Sequence, residues 1–123
     1  MNLVRIHECL CDRTRLRLVH LLLNGPLCVC HLQKVLGEPQ VKISRHLAYL
    51  RERGMVCAER CGQWMIYRLP ETRNPLLEAN LACLQDCASE ETLFREDKSR
   101  LEKLRRRLRD DCPACVRENV ATR

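Results

Sequence analysis

The chain has 123 residues, a length that suits one domain with a modest core. Aromatic residues make up only 3% of it, and the many aliphatic side chains favour packed helices over a β-sandwich. The formal net charge of +6 suits a polyanionic partner, and the aliphatic run Leu21-Leu22-Leu23 is too short to span a membrane.

The chain contains ten cysteines, an unusually large number for its length. In a small secreted protein they would indicate a disulfide framework, but residues Met1 to His7 lack the apolar segment of a secretory signal. We therefore expect a cytoplasmic protein with reduced thiols. Reduced thiols in this number indicate metal capture or redox sensing, although free cysteine is also an ordinary core residue.

The first half of the chain has the pattern of a helix-turn-helix. Asp12 can cap a helix that ends at Asn24-Gly25-Pro26, and a second helix is predicted from Leu27 to Leu36. A third is predicted between Pro39 and Gly54. Near its start this helix carries the candidate contacts to bases and phosphates: Gln40, Lys42, Ser44, Arg45 and His46.

A β-hairpin is predicted directly after the third helix. Its strands run from Met55 to Arg60 and from Trp64 to Leu69, around a turn at Cys61-Gly62-Gln63. A hairpin in this position is a wing, and Arg60 and Gln63 can reach phosphates or a minor groove from it. The predicted class is therefore mainly α with a small β-hairpin, a winged helix-turn-helix.

Two further helices are predicted after the hairpin. Asn74-Pro75 begins the first, and a highly charged helix runs from Glu90 to Asp111. We divide the chain into a DNA-binding and dimerisation domain, 1–88, and a charged helix with a cysteine-containing tail, 89–123. The apolar stripe of the charged helix is too narrow to form a core by itself, so we expect it to pack on a partner. That stripe consists of Phe94, Leu101, Leu104 and Leu108, and the expected seam of a homodimer consists of Leu77, Leu81, Leu84, Leu101 and Leu104.

Four motifs in register make the chain resemble the ArsR/SmtB family of metal-responsive repressors. Cys11 to Leu18 is similar to the first-helix signature of that family, and Leu27 to Leu32 is similar to its metal box. Ser44-Arg45-His46-Leu47 resembles its recognition helix, and Gly62 to Leu69 resembles its wing. The resemblance covers residues 6 to 70. It implies a homodimer that binds double-stranded operator DNA and is not an enzyme.

The chain departs from the family pattern at positions that bear on its ligands. His31 takes the place of an acidic residue of the metal box, and Gln33 stands where some arsenic-responsive members have a third cysteine. No histidine follows His46, so the family's zinc site on the C-terminal helix is not expected. The resemblance thus implies a thiolate sensor for As(III) or another soft metal or metalloid, with no organic cofactor.

Cys28 and Cys30 are the primary candidate ligands. On a regular helix, side chains two positions apart point about 200° away from each other, so we expect a shared ion to require an opened first turn. Soft ions prefer thiolates, and a helix N-terminus lowers the pKa of a thiol. Opening this turn would disturb the helix that supports Lys42 and Arg45, and operator DNA would be released.

Four other cysteines have weaker or alternative interpretations. Cys9 and Cys11 can complete a four-sulfur site with the primary pair, as in cadmium- and lead-responsive relatives of the family, or they can fill space in the first helix. Cys57 and Cys61 are interpreted as surface thiols of the wing. The four histidines are expected to be surface or core residues rather than ligands, except that His46 can touch DNA.

Two cysteine pairs in the C-terminal half leave further alternatives open. Cys83 and Cys87 are four apart on one helix face, so they can chelate without unwinding, oxidise as a redox sensor, or lie buried at the dimer seam. Cys112 and Cys115 form a C-x-x-C that can act as a spare ligand arm. A metal-buffering protein is the alternative from another class, but a buffer needs neither a recognition helix nor a wing.

Overall fold

A computed structural model describes residues 2–71 and 73–107 of the chain. The predicted mainly helical class with a small antiparallel sheet is confirmed. Leu108, Asp111, Cys112 and Cys115 lie outside the described residues. In chain order the elements are α1 (Leu3–Leu10), α2 (Arg13–Leu22), β1 (Leu27–Cys28), α3 (Val29–Leu36), α4 (Gln40–Glu52), β2 (Cys57–Cys61), β3 (Trp64–Arg68), α5 (Pro75–Ala88) and α6 (Thr92–Arg107).

Short polar side chains begin three of the helices. The side-chain oxygen of Asp12 accepts a hydrogen bond from the Arg15 amide at 3.0 Å, and that of Asn74 accepts from the Leu77 amide at 2.8 Å. Both caps were predicted, and each satisfies a helical N–H that has no partner within the helix. Asn2 caps α1 in the same way, and α1 is an addition to the predicted elements.

The helix predicted from Leu27 to Leu36 is wrong at its first two residues. Leu27 and Cys28 form β1, which pairs antiparallel with β3 through Tyr67 and Ile66. The sheet order is β1-β3-β2, so β1 adds a third strand to the edge of the predicted hairpin. Cys28 has extended backbone angles, φ −86° and ψ 162°, and α3 begins after it. Pairing with a distant strand, rather than local propensity, decides the conformation of this segment.

The last helix packs on its own chain. Phe94 and Leu101 of α6 are buried in the same core as Leu18 and Leu32, and α6 contacts both α2 and α3. The prediction that this stripe packs on a partner is therefore wrong for these residues. The leucines of α5 that were expected at the seam are also buried within the chain: Leu77, Leu81 and Leu84.

A buried charged network completes the contact between α6 and the core. Arg17 of α2 donates two hydrogen bonds to the carboxylate of Asp97, which is fully buried. Arg100 also donates to Asp97, at 2.6 Å, and its Nε donates to the Val35 carbonyl at 3.0 Å. The network links α6 to α2 and to the C-terminal end of α3.

None of the helices between residues 2 and 107, residue 72 aside, is both long enough and apolar enough to cross a bilayer.

Candidate thiolate site and nucleic-acid interface

The junction between β1 and α3 brings the sulfurs of Cys28 and Cys30 together. Their Cα atoms are 5.4 Å apart and their Sγ atoms are joined in a disulfide. The expected opening of a helical turn is therefore not needed, because Cys28 is an extended residue before the helix rather than part of it. The other cysteines within the described residues form no disulfide.

His31 adds a nitrogen donor to the pair. One of its ring nitrogens and the sulfurs of Cys28 and Cys30 all lie within 4.8 Å of one another. Burial, together with the positive charges of Arg105 and Lys34, lowers the pKa of His31 to about 4. The ring is therefore neutral near pH 7, and neutral imidazole is the form that binds metals.

Sequence reasoning missed His31 as a ligand, since it expected no histidine of the chain to be a ligand and singled out only His46, as a DNA contact. The available signal was its position directly after Cys30, at a place where the resembling family has an acidic residue. Two thiolates with one imidazole suit thiophilic ions, which favour sulfur and accept nitrogen as a further donor. The residues present therefore fit a soft metal or metalloid.

The N-terminal cysteines do not belong to this donor group in the described part of the chain. Cys9 lies in the core, where burial raises the pKa of its thiol above the ordinary value. Cys11 is exposed, and its Sγ lies 3.2 Å from the Glu8 carbonyl, to which it donates a hydrogen bond. The alternative four-sulfur site with Cys28 and Cys30 is therefore not assembled within one chain.

The thiols of Cys83 and Cys87 lie close together on the outer face of α5. Their Sγ atoms are 3.9 Å apart and both side chains are exposed, so burial of this pair is not found within the chain. The expected approach of two thiols four residues apart is confirmed. The hydrogen bond that Cys87 shares with Cys83 raises the pKa of the Cys87 thiol.

The thiolate pair is in direct contact with the wing. Cys28 and Ile66 form a small buried cluster, and Cys30, Cys61 and Trp64 pack against it. Cys28 and Ile66 are also neighbours in the β1–β3 ladder. A change in the position of Cys28 is therefore passed directly to a strand of the hairpin.

The polar face of α4 is available to a partner. Ile43, Leu47 and Leu50 are buried against the core, so the opposite side of α4 faces outward. Its N-terminal turns carry the predicted contact residues, of which Gln40, Lys42 and Arg45 are exposed and Ser44 is half-buried.

Three side chains of α4 have features that the sequence did not indicate. The Nδ1 atom of His46 lies 3.9 Å from the Asp12 carboxylate, and the ring is half-buried. Val41, which sequence reasoning did not single out, is 68% exposed beside the polar contact residues. Lys42 forms a salt bridge of 3.2 Å with Glu38, one turn earlier in the chain.

The wing presents its predicted residues at the end of the hairpin. Cys61 pairs with Trp64, so the loop between them consists of Gly62 and Gln63. Gly62 has φ +62°, a left-handed conformation that glycine adopts without strain. Arg60 and Gln63 are both exposed there.

Comparisons with known proteins agree with this architecture. The family model described as bacterial regulatory protein, arsR family, matches residues 12–57. An arsenic resistance transcriptional regulator of Pseudomonas putida is 51% identical over 65 residues, which are 52% of this chain and 51% of that protein. The arsenical resistance operon repressor of Escherichia coli is 48% identical over 67 residues, which are 54% of this chain and 57% of that protein.

A solved structure extends the comparison. The antimony-specific transcriptional repressor AntR is 33% identical, with a TM-score of 0.57 over 72% of this chain and 80% of that one. The chain spans little more than half the length of the two curated relatives given above.

Proposed function

The chain belongs to the arsR family of bacterial regulatory proteins, and from that premise we propose that it is a homodimeric repressor that releases operator DNA when As(III) or a related thiophilic ion binds Cys28 and Cys30. One observation carries the proposal. Two cysteine sulfurs and the His31 nitrogen meet within 4.8 Å at a point that also contacts the wing. The family consists of regulators rather than enzymes.

The reduced forms of Cys28 and Cys30 would hold the ion, with His31 as the third donor, and the ion would supply a bond between β1 and the first turn of α3. Cys28 contacts Ile66 in the sheet, and α3 packs against α4. A shift of Cys28 therefore changes the position of the wing relative to α4. DNA binding needs the wing and α4 in one relative arrangement, so the conformation that binds DNA loses population when the ion binds.

The exposed face of α4 is proposed to enter the major groove. Arg45, Lys42 and Gln40 can donate to base edges and phosphates, and Ser44 and His46 lie beside them. The exposed Val41 can contact a thymine methyl group, which is the apolar feature of the major groove.

The wing and the α1–α5 pair have separate proposed roles, in DNA binding and in dimerisation. Arg60 and Gln63 are proposed to contact the DNA backbone from the wing. The proposed homodimer face is on the α1–α5 pair, where Leu3 and Val4 of α1 and Leu76 of α5 are exposed.

The proposal is tested with operator DNA selected from a random duplex pool, by fluorescence anisotropy of the reduced protein with and without arsenite. We expect arsenite to weaken binding roughly 5- to 150-fold, the usual range for coupled sites. Cys28→Ser with Cys30→Ser should bind the operator and not respond. A matched control is Cys57→Ser, at the start of β2 and outside the Cys28–Ile66 cluster, which should respond as the unmodified protein does. If arsenite still released DNA from the Cys28→Ser, Cys30→Ser variant, these two residues would not be the effector site.

The Cys28–Cys30 disulfide favours a second candidate, a thiol redox-sensing repressor. In that case oxidation of the pair, without any ion, changes operator affinity. The proposed location is the cytoplasm, where DNA is present and thiols are normally kept reduced. Anisotropy titrations of oxidised and reduced protein in a chelated buffer distinguish the two candidates. Equal operator affinities of the oxidised and the reduced protein would exclude redox sensing, and ion sensing would remain as the single candidate.

A further inference from the structure

A second thiol pair lies on a different part of the fold from the Cys28 site. Cys83 and Cys87 belong to α5, and their Sγ atoms are 3.9 Å apart at an exposed position. The wing contains the same spacing at Cys57 and Cys61, but these two residues lie at opposite ends of β2. At about 3.3 Å per residue in a strand, their backbones are about 13 Å apart. Of these two pairs, only the helical one can hold one atom between its sulfurs.

An open apolar cavity of about 240 Å³ adjoins the helical pair. Its wall includes Leu10 of α1, Leu16 of α2, Leu84 of α5 and Phe94 of α6, with Asn80 and Glu91 as its polar residues, and both cysteines line it. Apolar cavities of roughly 150 Å³ accept a benzene molecule in other proteins. The space beside the thiols is therefore large enough for a small apolar group.

From this combination we propose that Cys83 and Cys87 form a separate site for trivalent arsenicals that carry one apolar substituent, with that substituent in the cavity. In R–As(OH)₂ two As–O bonds break and two As–S bonds form. The two hydroxyl groups take the thiol protons and leave as water. Arsenic stays trivalent throughout, so no oxidant or reductant is consumed.

The proposed selectivity follows from the wall of the cavity. After two thiolates have bound, arsenic keeps one substituent, which is a hydroxyl group in arsenite and an apolar group in R–As(OH)₂. An aryl group gains from apolar area buried against Leu10, Leu16 and Phe94, whereas a hydroxyl group gains nothing from these side chains. The site should therefore prefer aryl arsenicals to arsenite. This inference goes beyond the proposed function and does not require it.

The experiment uses the full-length chain with Cys28→Ser and Cys30→Ser, titrated separately with phenylarsonous acid and arsenite. Free thiols are then alkylated and mapped by trypsin and mass spectrometry. Cys83 and Cys87 fall together on peptide 74–95, which contains no other cysteine. Cys57 and Cys61 fall on peptides 54–60 and 61–68, and Cys112 and Cys115 fall on 110–117. The alkylation of each cysteine pair is therefore measured independently of the others.

We expect phenylarsonous acid to protect peptide 74–95 at about tenfold lower concentration than arsenite, because ring burial contributes to binding. Cys87→Ser should abolish this protection of Cys83. Peptides 54–60 and 61–68 should stay reactive. Equal protection by the two arsenicals, or no protection of peptide 74–95, would overturn the proposal.

A second variant tests the cavity without touching the thiols. Leu10 is half-buried at the wall, so Leu10→Asn should leave protection by arsenite unchanged and remove most of the tenfold advantage of the phenyl compound. Circular dichroism confirms that this variant is folded before it is titrated. An unchanged advantage in the folded variant would place the phenyl group elsewhere and would also overturn the proposal.

Discussion

Arg17 and Asp97 form a bidentate ion pair between α2 and α6, with both N···O distances at 2.8 Å. The Asp97 side chain is completely buried and that of Arg17 is 11% exposed. Planar guanidinium and carboxylate groups match in this geometry, so the pair fixes the orientation of the two helices as well as their contact.

Removal of one partner should therefore be costly. Asp97→Asn leaves the Arg17 charge in a poorly solvated place, and we expect the free energy of unfolding to fall by about 3–5 kcal/mol. Urea denaturation followed by circular dichroism measures the change. Glu102→Gln, at an exposed position of the same helix, is the matched control and should be nearly neutral. Equal stability of the two variants would show that the pair does not hold α6.

Acid should destabilise the protein through His20. This ring packs edge-on against Phe94, with centroids 5.1 Å apart, and burial lowers its pKa from 6.5 although the Asp97 charge acts in the opposite direction. The unfolded chain then takes up a proton near pH 6.5, whereas the folded chain takes it up only at lower pH. The stabilisation is thus present above pH 6.5 and is lost as the pH falls through the folded pKa.

Melting temperatures measured from pH 7.5 down to pH 5 check this expectation. His20→Gln should show a shallower loss than the unmodified chain, and His7→Gln, at an exposed position, should follow the unmodified chain. His31 contributes in the same direction, since its pKa lies at about 4. Identical slopes for His20→Gln and His7→Gln would refute the assignment to His20.

Ion capture at Cys28 and Cys30 should change the fluorescence of Trp64. This is the one tryptophan of the chain, and it packs against the same cluster as the two sulfurs. Arsenite added to reduced protein should shift its emission or intensity, and Cys28→Ser with Cys30→Ser should abolish that response. A response that survives in this variant but disappears with Cys83→Ser and Cys87→Ser would assign it to α5.

Operator affinity should depend on Arg45. Arg45→Ala should cost about 1–3 kcal/mol if the side chain reads a base, and less, with a shallower salt dependence, if it contacts a phosphate. Anisotropy titrations at several salt concentrations separate these outcomes. The control is Arg106→Ala, at an exposed position of α6. Unchanged affinity in a folded Arg45→Ala protein would contradict the placement of α4 in the groove.

The periodic and capped segments were predictable from sequence because their signals are local. Asp12 and Asn74 cap helices as predicted, and the apolar positions of α4 face the core. The loop at Gly62 likewise lies where a left-handed residue is needed. In each case a few neighbouring residues contain the whole physical reason for the structure.

The features that sequence reasoning missed depend on distant residues. Leu27 and Cys28 are extended because β3 offers a free edge, and that partner lies far along the chain. The apolar stripe of α6 is too narrow to predict a core position from sequence, but Asp97 beside it pairs with Arg17 of α2 inside the core. His31 was treated as an ordinary histidine, since its contact with both sulfurs follows from the extended Cys28.

The pairing of Cys28 with Ile66 has a consequence for biosensor engineering. A graft of residues 27–36 alone into another helix-turn-helix scaffold would carry the sulfurs but not the strand that holds Cys28 extended. The segment to transfer for the proposed sensing site is therefore residues 27–68, which contain β1, α3, α4 and the hairpin together. Effector-responsive chimeras should be built with junctions at Pro26 and Leu69, outside the sheet.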